Sequence, residues 1–177
     1  PQVAQAATLA KYDTVVNDIG DALVVINFEG KGEINVPLPL DVSNPEVRGA
    51  LFVDAENGID VLMGPTGKAS VSYETSLLTA KSNGTWVFDL DLSAWVDKQV
   101  TLLLPPSAEI SSTTPRATIE QLSDSKKVQW SLDVYARKAS VNYALKAEAE
   151  KPKPAIISPI LLGILAIIFI GIITLAY

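Results

Sequence analysis

Residues 128–135, with the sequence VQWSLDVY, decide the fold class because apolar and polar side chains alternate along the whole stretch. Val128, Trp130, Leu132 and Val134 share one face of an extended chain. A period of two is typical of a β-strand with one buried and one solvated face. The same alternation returns in residues 139–145, ASVNYAL. We therefore expect a mainly β protein.

Turn residues divide the preceding part of the chain into short apolar runs. Gly-rich and Asn-Gly turns between such runs are typical of β-hairpins. The predicted hairpins join residues 22–28 to 33–40, 48–54 to 59–63 across Glu56-Asn57-Gly58, and 69–80 to 85–92 across Asn83-Gly84. With further strands at 99–104 and 117–122, the density of strands is typical of a two-sheet sandwich or a barrel. Of these we expect a β-sandwich.

We assign residues 12–149 to the β-sandwich domain and residues 1–11 to an N-terminal extension. Residues 4–12 and 145–150 are the segments with a helix-compatible pattern. Aromatic residues in alternating strands belong in the core, so Trp86 and Trp130 are predicted to be buried. Trp95 lies in a short connection, where core packing and a surface contact are both open.

Residues 155–177 contain no charged side chain and predict a single transmembrane helix. A helix of about 20 apolar residues crosses the hydrocarbon layer of a bilayer. Ser158-Pro159 has the form of a helix N-cap followed by proline. Gly163 and Gly171 lie on roughly one face of this helix, where small residues permit close packing against another membrane helix.

Residues 150–154, EKPKP, form the predicted linker between the domain and the transmembrane helix. Alternating prolines favour an extended, stiff chain. Lys151 and Lys153 can also contact anionic lipid head groups. The lipid bilayer is therefore the first predicted partner.

Two signals disagree about the side of the membrane on which the domain lies. The lysines before the span place it in the cytoplasm by the positive-inside rule. The start at Pro1 and the small, polar residues of 1–10 instead resemble a chain after removal of a signal peptide. Asn83-Gly84-Thr85 is also a glycosylation sequon. We expect an extracytoplasmic domain on a single-pass cell-membrane protein, with Asn83 as its glycosylation site.

The amino-acid composition argues against several kinds of functional site. The chain has no Cys and no His, and its net charge is −6. Disulfides and the usual transition-metal ligands are therefore lacking, and an acidic chain is a poor partner for nucleic acid. Asp89, Asp91 and Asp97 could together bind Ca²⁺, but no EF-hand spacing supports such a site and we favour a solvated strand face. We expect no catalytic residues, no cofactor and no bound metal, and hence a protein that is not an enzyme.

Residues 71–110 resemble a class of archaeal membrane-anchored β-domain proteins. The resemblance is carried by Tyr73, by Leu78-Thr79, by Lys81 and Trp86, and by the run Val100–Pro105. In that class a strand pair of this kind precedes a Val- and Leu-rich strand ending in proline, and a membrane helix follows. The resemblance implies a β fold outside the membrane and no catalytic residues.

These observations together predict a non-enzymatic cell-envelope protein, either an accessory or assembly subunit of a membrane complex or an anchor for a surface layer. Other membrane or cell-surface proteins are its predicted partners, and a homo-oligomer is a further option. Two alternatives remain open. One is a surface-filament subunit that assembles by strand addition at exposed edges or through residues 1–12. The other is a ligand-binding or sensory ectodomain.

Overall fold

The computed structural model describes residues 9–42, 44–94 and 96–146, and this part of the chain is mainly β. No helix occurs in the described residues. The strands are β1 (Leu9–Val16), β2 (Ala22–Glu29), β3 (Glu33–Pro37), β4 (Glu46–Arg48), β5 (Ala50–Ala55), β6 (Gly58–Met63), β7 (Lys68–Thr75), β8 (Thr79–Ser82), β9 (Thr85–Asp91), β10 (Asp97–Leu104), β11 (Ala108–Thr114), β12 (Thr118–Gln121), β13 (Lys126–Leu132) and β14 (Lys138–Leu145).

The largest sheet has seven strands in the order β12-β13-β10-β1-β2-β7-β4. Its central strand β1 runs parallel to β10 and antiparallel to β2. Ala10 and Tyr12 are 0% and 1% exposed. Residues 9–11 therefore belong to the sheet, which corrects both their assignment to an N-terminal extension and the helix-compatible interpretation of residues 9–12. The alternation in β1 is weakened by Thr14, which points inward although it is polar.

Two smaller sheets complete the described fold, with strand orders β11-β14-β9-β8 and β3-β6-β5. The predicted hairpins across Glu56-Asn57-Gly58 and Asn83-Gly84 are confirmed as β5–β6 and β8–β9. The predicted pairing of residues 22–28 with 33–40 is wrong, because β3 pairs with β6 while β2 lies between β1 and β7. The predicted long strand 69–80 is also divided, with β7 and β8 in different sheets.

Apolar side chains from all three sheets form one core. Trp86 and Trp130 are 9% and 4% exposed, which confirms their predicted burial. The Trp86 ring stacks on Tyr143 with centroids 6.3 Å apart, and the Trp130 indole N–H donates to the carbonyl of Pro115 at 2.8 Å. Trp95 lies outside the described residues.

The predicted linker 150–154 and the predicted transmembrane helix 155–177, with Gly163 and Gly171, lie outside the described residues. Within residues 9–42, 44–94 and 96–146, no helix is long and apolar enough to cross a bilayer. The transmembrane helix thus stays a prediction from the sequence.

Candidate interaction surface

The three sheets have six outer strands, each with one side of its backbone facing away from the sheet. Such edges pair readily with other chains unless a charge, a proline or a bulge blocks them. Within the described residues, every outer strand carries at least one charge, but in the five strands other than β5 it does not accompany a run of exposed apolar side chains. The blocks in those five strands are Glu120 in β12, Glu46 and Arg48 in β4, Glu109 and the register shift between Ile110 and Ser112 in β11, Lys81 in β8, and Glu33 and Pro37 in β3.

Strand β5 differs from the other outer strands because its central residues are apolar and exposed. Leu51, Phe52 and Val53 are 74%, 44% and 63% exposed. Leu62, directly opposite Leu51 on β6, is 52% exposed. The only charge in β5 is that of Asp54, near its end. We call the open side of β5 with these four apolar side chains the β5 edge, and such an apolar edge is typical of a protein-binding surface.

Strand β6, which is the neighbour of β5 in the small sheet, attaches the hairpin to the core. Ile59 and Val61 of β6 are 2% and 0% exposed, and they lie opposite Val36 and Ile34 of β3. Phe52 lies opposite Val61 and therefore shares the inner face of this small sheet. The hairpin is thus held rigidly through β6, while β5 remains at the outside.

Glycines at the base and turn of this hairpin allow close backbone contacts. A Cβ atom on Gly64 would lie 2.7 Å from the carbonyl oxygen of Gly49. A Cβ on Gly58, whose φ is 148°, would lie 2.0 Å from the carbonyl oxygen of Val36. These distances are shorter than the non-bonded contacts that real Cβ atoms make, so side chains at these positions would displace the backbone. The position of β5 is therefore determined by local backbone packing.

A cleft of about 180 Å³ lies beside residues 37–39 and is lined by Tyr73, Asp89, Asp91 and Lys138 among others. Lys138 Nζ is 3.0 Å from Asp89 Oδ2, so this carboxylate already has a cationic partner. Burial raises the pKa of Tyr73, and the charges of Tyr12, Asp91 and Asp41 raise it further. The phenol therefore stays protonated and can serve as a hydrogen-bonding group rather than as a base.

The candidate Ca²⁺ ligands are not brought together as a set. Asp89 and Asp91 share the outer face of β9, whereas Asp97 begins β10 in another sheet. No group of three or more acidic residues in the described part of the chain is placed to hold a metal ion.

The sequon residue Asn83 occupies the turn of the β8–β9 hairpin and is exposed. Asn83 and Gly84 have φ angles of 50° and 81°, which suits the two-residue turn that Asn-Gly favours. A Cβ added to Gly84 would meet nothing within 4 Å. The hairpin tip therefore offers room for a glycan at Asn83, and the modification itself stays a prediction.

Two buried polar side chains that the alternation did not predict are hydrogen-bonded. Lys98 is 1% exposed, and its ammonium group donates to the carbonyls of Val96 and Asp133 at 2.6 and 3.0 Å. Burial lowers the pKa of Lys98. The Tyr12 hydroxyl donates to Ser93 Oγ at 2.9 Å and accepts from the Ser93 N–H at 2.8 Å. Each side chain joins segments that are distant in the sequence. This structural role is sufficient to explain why both are buried.

A polar contact network also surrounds Asp41 beside the end of β7. Its carboxylate accepts from Thr75 Oγ1 at 2.5 Å and from the Ser76 N–H at 3.0 Å. Burial acts to raise the pKa of Asp41, but these hydrogen bonds outweigh it and hold the pKa below its ordinary value. The contacts fasten the loop after β3 to β7, and they make Asp41 a structural acceptor.

Comparison with known proteins identifies similar folds but no family. No family model matches the chain, and no curated protein matches it in sequence. An aminopeptidase N family protein from Idiomarina loihiensis is 11% identical, with a TM-score of 0.52 over 75% of this chain and 29% of that chain. An M1 zinc metallopeptidase from Deinococcus radiodurans is 12% identical, with a TM-score of 0.49 over 85% of this chain and 50% of that chain.

The folded domain of LppM from Mycobacterium tuberculosis is also similar, at 12% identity and a TM-score of 0.46 over 86% of this chain and 99% of that chain. This chain spans half or less of the length of the two peptidases. At these identities the likeness concerns the fold alone.

The match to the aminopeptidase N family protein corrects the prediction that this chain is not an enzyme. That prediction rested on the lack of His, Cys and a catalytic constellation. A similar β fold forms part of that aminopeptidase N family chain, so a stretch without catalytic residues can still belong to an enzyme. Composition was therefore not a sufficient reason to exclude enzymes.

Proposed function

We propose that this chain is a single-pass cell-envelope protein whose extracytoplasmic β-sandwich domain assembles with other proteins through the β5 edge. The observation that carries the proposal is the exposure of Leu51, Phe52 and Val53 on an outer strand with no blocking residue among them. The uncharged segment 155–177 supports the membrane anchor. The domain would then act as an assembly subunit of a membrane complex or surface layer.

The mode of assembly that suits this edge is strand addition. A partner strand would form main-chain hydrogen bonds with the open side of β5, and its side chains would contact Leu51 and Val53 on one face and Phe52 on the other. Burying these apolar side chains supplies a favourable free energy of about 25 cal/mol per Å². The small sheet would grow by one strand without rearrangement of the core.

Photo-crosslinking in cells tests the assembly role. A photoreactive phenylalanine analogue replaces Phe52 in one version of the full chain and Ile119 in a control, since these residues are 44% and 49% exposed on different outer strands. We expect a discrete protein adduct from position 52 and none from position 119. Equal labelling at both positions, or none at position 52, would contradict the assembly role.

The membrane anchor has a separate test. Intact cells are treated with protease, and membranes are extracted with alkaline carbonate. We expect the described domain to be digested from outside and the full chain to stay in the membrane pellet. A domain that is protected in intact cells and digested only after lysis would place it on the cytoplasmic side, and release by carbonate would contradict the transmembrane helix.

A further inference from the structure

We infer that the cleft beside residues 37–39 is a binding site for a primary alkylammonium group, which is a positively charged amine on a short aliphatic stem. The ammonium would lie between the carboxylate of Asp91 and the hydroxyl of Tyr73, and the stem would pack against leucine side chains. A free amine and a lysine side chain of another protein share this chemistry. The described residues that line the cleft are all different from those of the β5 edge, so the inference is independent of the proposed function.

The cleft lies where strand β9 extends beyond its neighbour β8. Strand β8 pairs with the first four residues of β9, and the N–H of Asp89 then donates to the carbonyl of Leu78 at 2.8 Å. Strand β9 continues to Asp91, while β14 still pairs with it on the other side. Asp91 therefore lies past the end of β8, and it lines the cleft together with Tyr73 of β7.

Tyr73 contributes a buried hydroxyl group without a hydrogen-bond partner. The residue is 6% exposed and lines the cleft, yet no described residue forms a hydrogen bond with its hydroxyl. The buried hydroxyl of Tyr12, in contrast, both donates to and accepts from Ser93. Buried polar groups are normally hydrogen-bonded, and the charges of Asp91 and Asp41 act on the Tyr73 hydroxyl. This hydroxyl is thus an acceptor near the Asp91 carboxylate, and a ligand in the cleft can supply its missing partner.

The charges along the cleft favour a cation over an anion. Its charged lining consists of two carboxylates, Asp89 and Asp91, and one ammonium, Lys138. Lys138 lies opposite Asp91 in the sheet, but its Nζ is 3.0 Å from Asp89 Oδ2. Within the described residues Asp91 has no ion pair. A primary ammonium has three donors and no acceptor, so it can donate to both Asp91 and Tyr73, whereas an anion would be repelled by the unpaired carboxylate.

The rest of the cleft is mainly aliphatic. Leu78 and Leu90 are 7% and 1% exposed, and Leu77 is 57% exposed, so this wall extends from the core to solvent. Methylene groups pack on such a wall while a terminal ammonium stays at the polar groups, as in the stems of lysine side chains. The volume of about 180 Å³ is similar to that of a cavity of about 150 Å³ that holds benzene. The cleft therefore suits a stem of about four carbon atoms rather than a large ring system.

Binding of n-butylamine to the full chain in mild detergent tests the inference by isothermal titration calorimetry at about pH 7, where the amine is charged. The controls, n-butanol and butyrate, have a similar stem with a neutral and a negative head. We expect saturable binding of n-butylamine and binding of both controls that is at least about tenfold weaker. No binding of n-butylamine, or equal binding of n-butanol, would overturn the inference.

Titration with Nα-acetyl-lysine amide distinguishes the two sources of the group. Tighter binding of n-butylamine than of the lysine derivative would assign a free amine as the ligand. Equal or tighter binding of the lysine derivative would assign a lysine side chain of a partner protein. Both results support an alkylammonium site.

Substitutions locate the site within the chain. Asp91→Asn removes the carboxylate at the cleft, and Asp13→Asn removes an exposed carboxylate of β1 as the matched control. We expect Asp91→Asn to weaken binding of n-butylamine by about tenfold or more and Asp13→Asn to leave it unchanged. Tyr73→Phe keeps the ring and should weaken binding by about threefold to tenfold.

The two aspartate variants keep the test valid if Tyr73→Phe fails to fold, since both carboxylates are exposed. Each variant is first checked for cooperative unfolding by tryptophan fluorescence. Equal weakening by Asp91→Asn and Asp13→Asn would mean that net charge alone attracts the amine. That result, or unchanged binding in Asp91→Asn, would overturn the assignment of the cleft.

Discussion

The β5–β6 and β8–β9 hairpins both carry an Asn-Gly pair at the turn and a buried second strand, but the side chains of their outer strands differ in kind. In β8–β9, Phe88 and Leu90 of the second strand are 0% and 1% exposed, and the outer strand β8 carries Lys81. In β5–β6 the second strand is buried too, but the outer strand exposes Leu51, Phe52 and Val53. The difference indicates that turn chemistry specifies a hairpin, whereas the composition of the outer strand decides which side chains that hairpin presents to solvent.

The largest expected effect comes from two phenylalanines in the two hairpins. Phe88→Ala removes a fully buried ring, and such truncations cost about 3–5 kcal/mol of unfolding free energy. Phe52→Ala removes a ring that is 44% exposed in the single chain, and we expect a loss below about 1.5 kcal/mol. Urea unfolding of the detergent-solubilised chain, followed by tryptophan fluorescence, measures both under monomeric conditions. Equal losses would contradict the assignment of β5 to the outside.

For the turn glycines the order of the two hairpins should be reversed, with the larger loss of stability in β5–β6. Gly58→Ala would force a Cβ against the backbone of Val36, and we expect a loss of about 2–4 kcal/mol. Gly84→Ala meets only open space and should cost about 1–2 kcal/mol from its positive φ. The unfolding midpoints in urea provide the comparison. A larger loss at Gly84 would show that the β5–β6 turn is not packed against β3.

Alkaline pH should lower the free energy of unfolding, and Tyr143 should account for part of that loss. Burial raises the pKa of Tyr143, which lies opposite Trp86, to about 12. A phenol with a raised pKa in the folded state contributes stability that is complete below its ordinary pKa of 10.0 and is lost as pH rises toward 12. We expect Tyr143→Phe to reduce the fall in unfolding free energy over this pH range. An unchanged fall in Tyr143→Phe would contradict the burial of this hydroxyl.

The smallest effect is expected at Lys81, whose Nζ lies 5.1 Å from the centre of the Trp86 ring. An exposed cation–π contact contributes about 0.5–1 kcal/mol, so Lys81→Ala should lower stability by that amount and Lys81→Arg should retain it. Thermal unfolding compares a variant that keeps a long cationic side chain with one that lacks it. A greater loss in Lys81→Arg than in Lys81→Ala would exclude the cation–π contact as the cause.

Local patterns in the sequence predicted much of the secondary structure. Alternation identified β13 and β14, and the Asn-Gly turns identified both hairpins of the comparison. The pairing of strands that are far apart in the sequence could not be predicted from local patterns. Tyr12 pairs with Val100 in a parallel register, and no local signal links residues so far apart. For the same reason β3 was joined to its neighbour along the chain instead of to β6.

The sequence indicates the apolar run of the candidate surface but not its exposure. Leu51, Phe52 and Val53 interrupt the alternation, which is a local sign of a strand with apolar residues on both faces. Such a run is equally typical of a strand buried between two neighbours. Only the sheet order shows that β5 has a single neighbour, so the exposure of its residues depends on the three-dimensional arrangement.

Hydrogen exchange of the β5 amides tests the central claim that this edge is where the chain assembles. The full chain in native membranes is compared with the purified chain in mild detergent, with the β12 amides of residues 118–121 as an internal control on another outer strand. We predict that amides in residues 50–55 exchange more slowly in native membranes, while those of β12 do not change, because a bound partner protects the open side of β5 alone. Exchange in β5 that is equal in the two preparations, or equal protection of both strands, would contradict the claim.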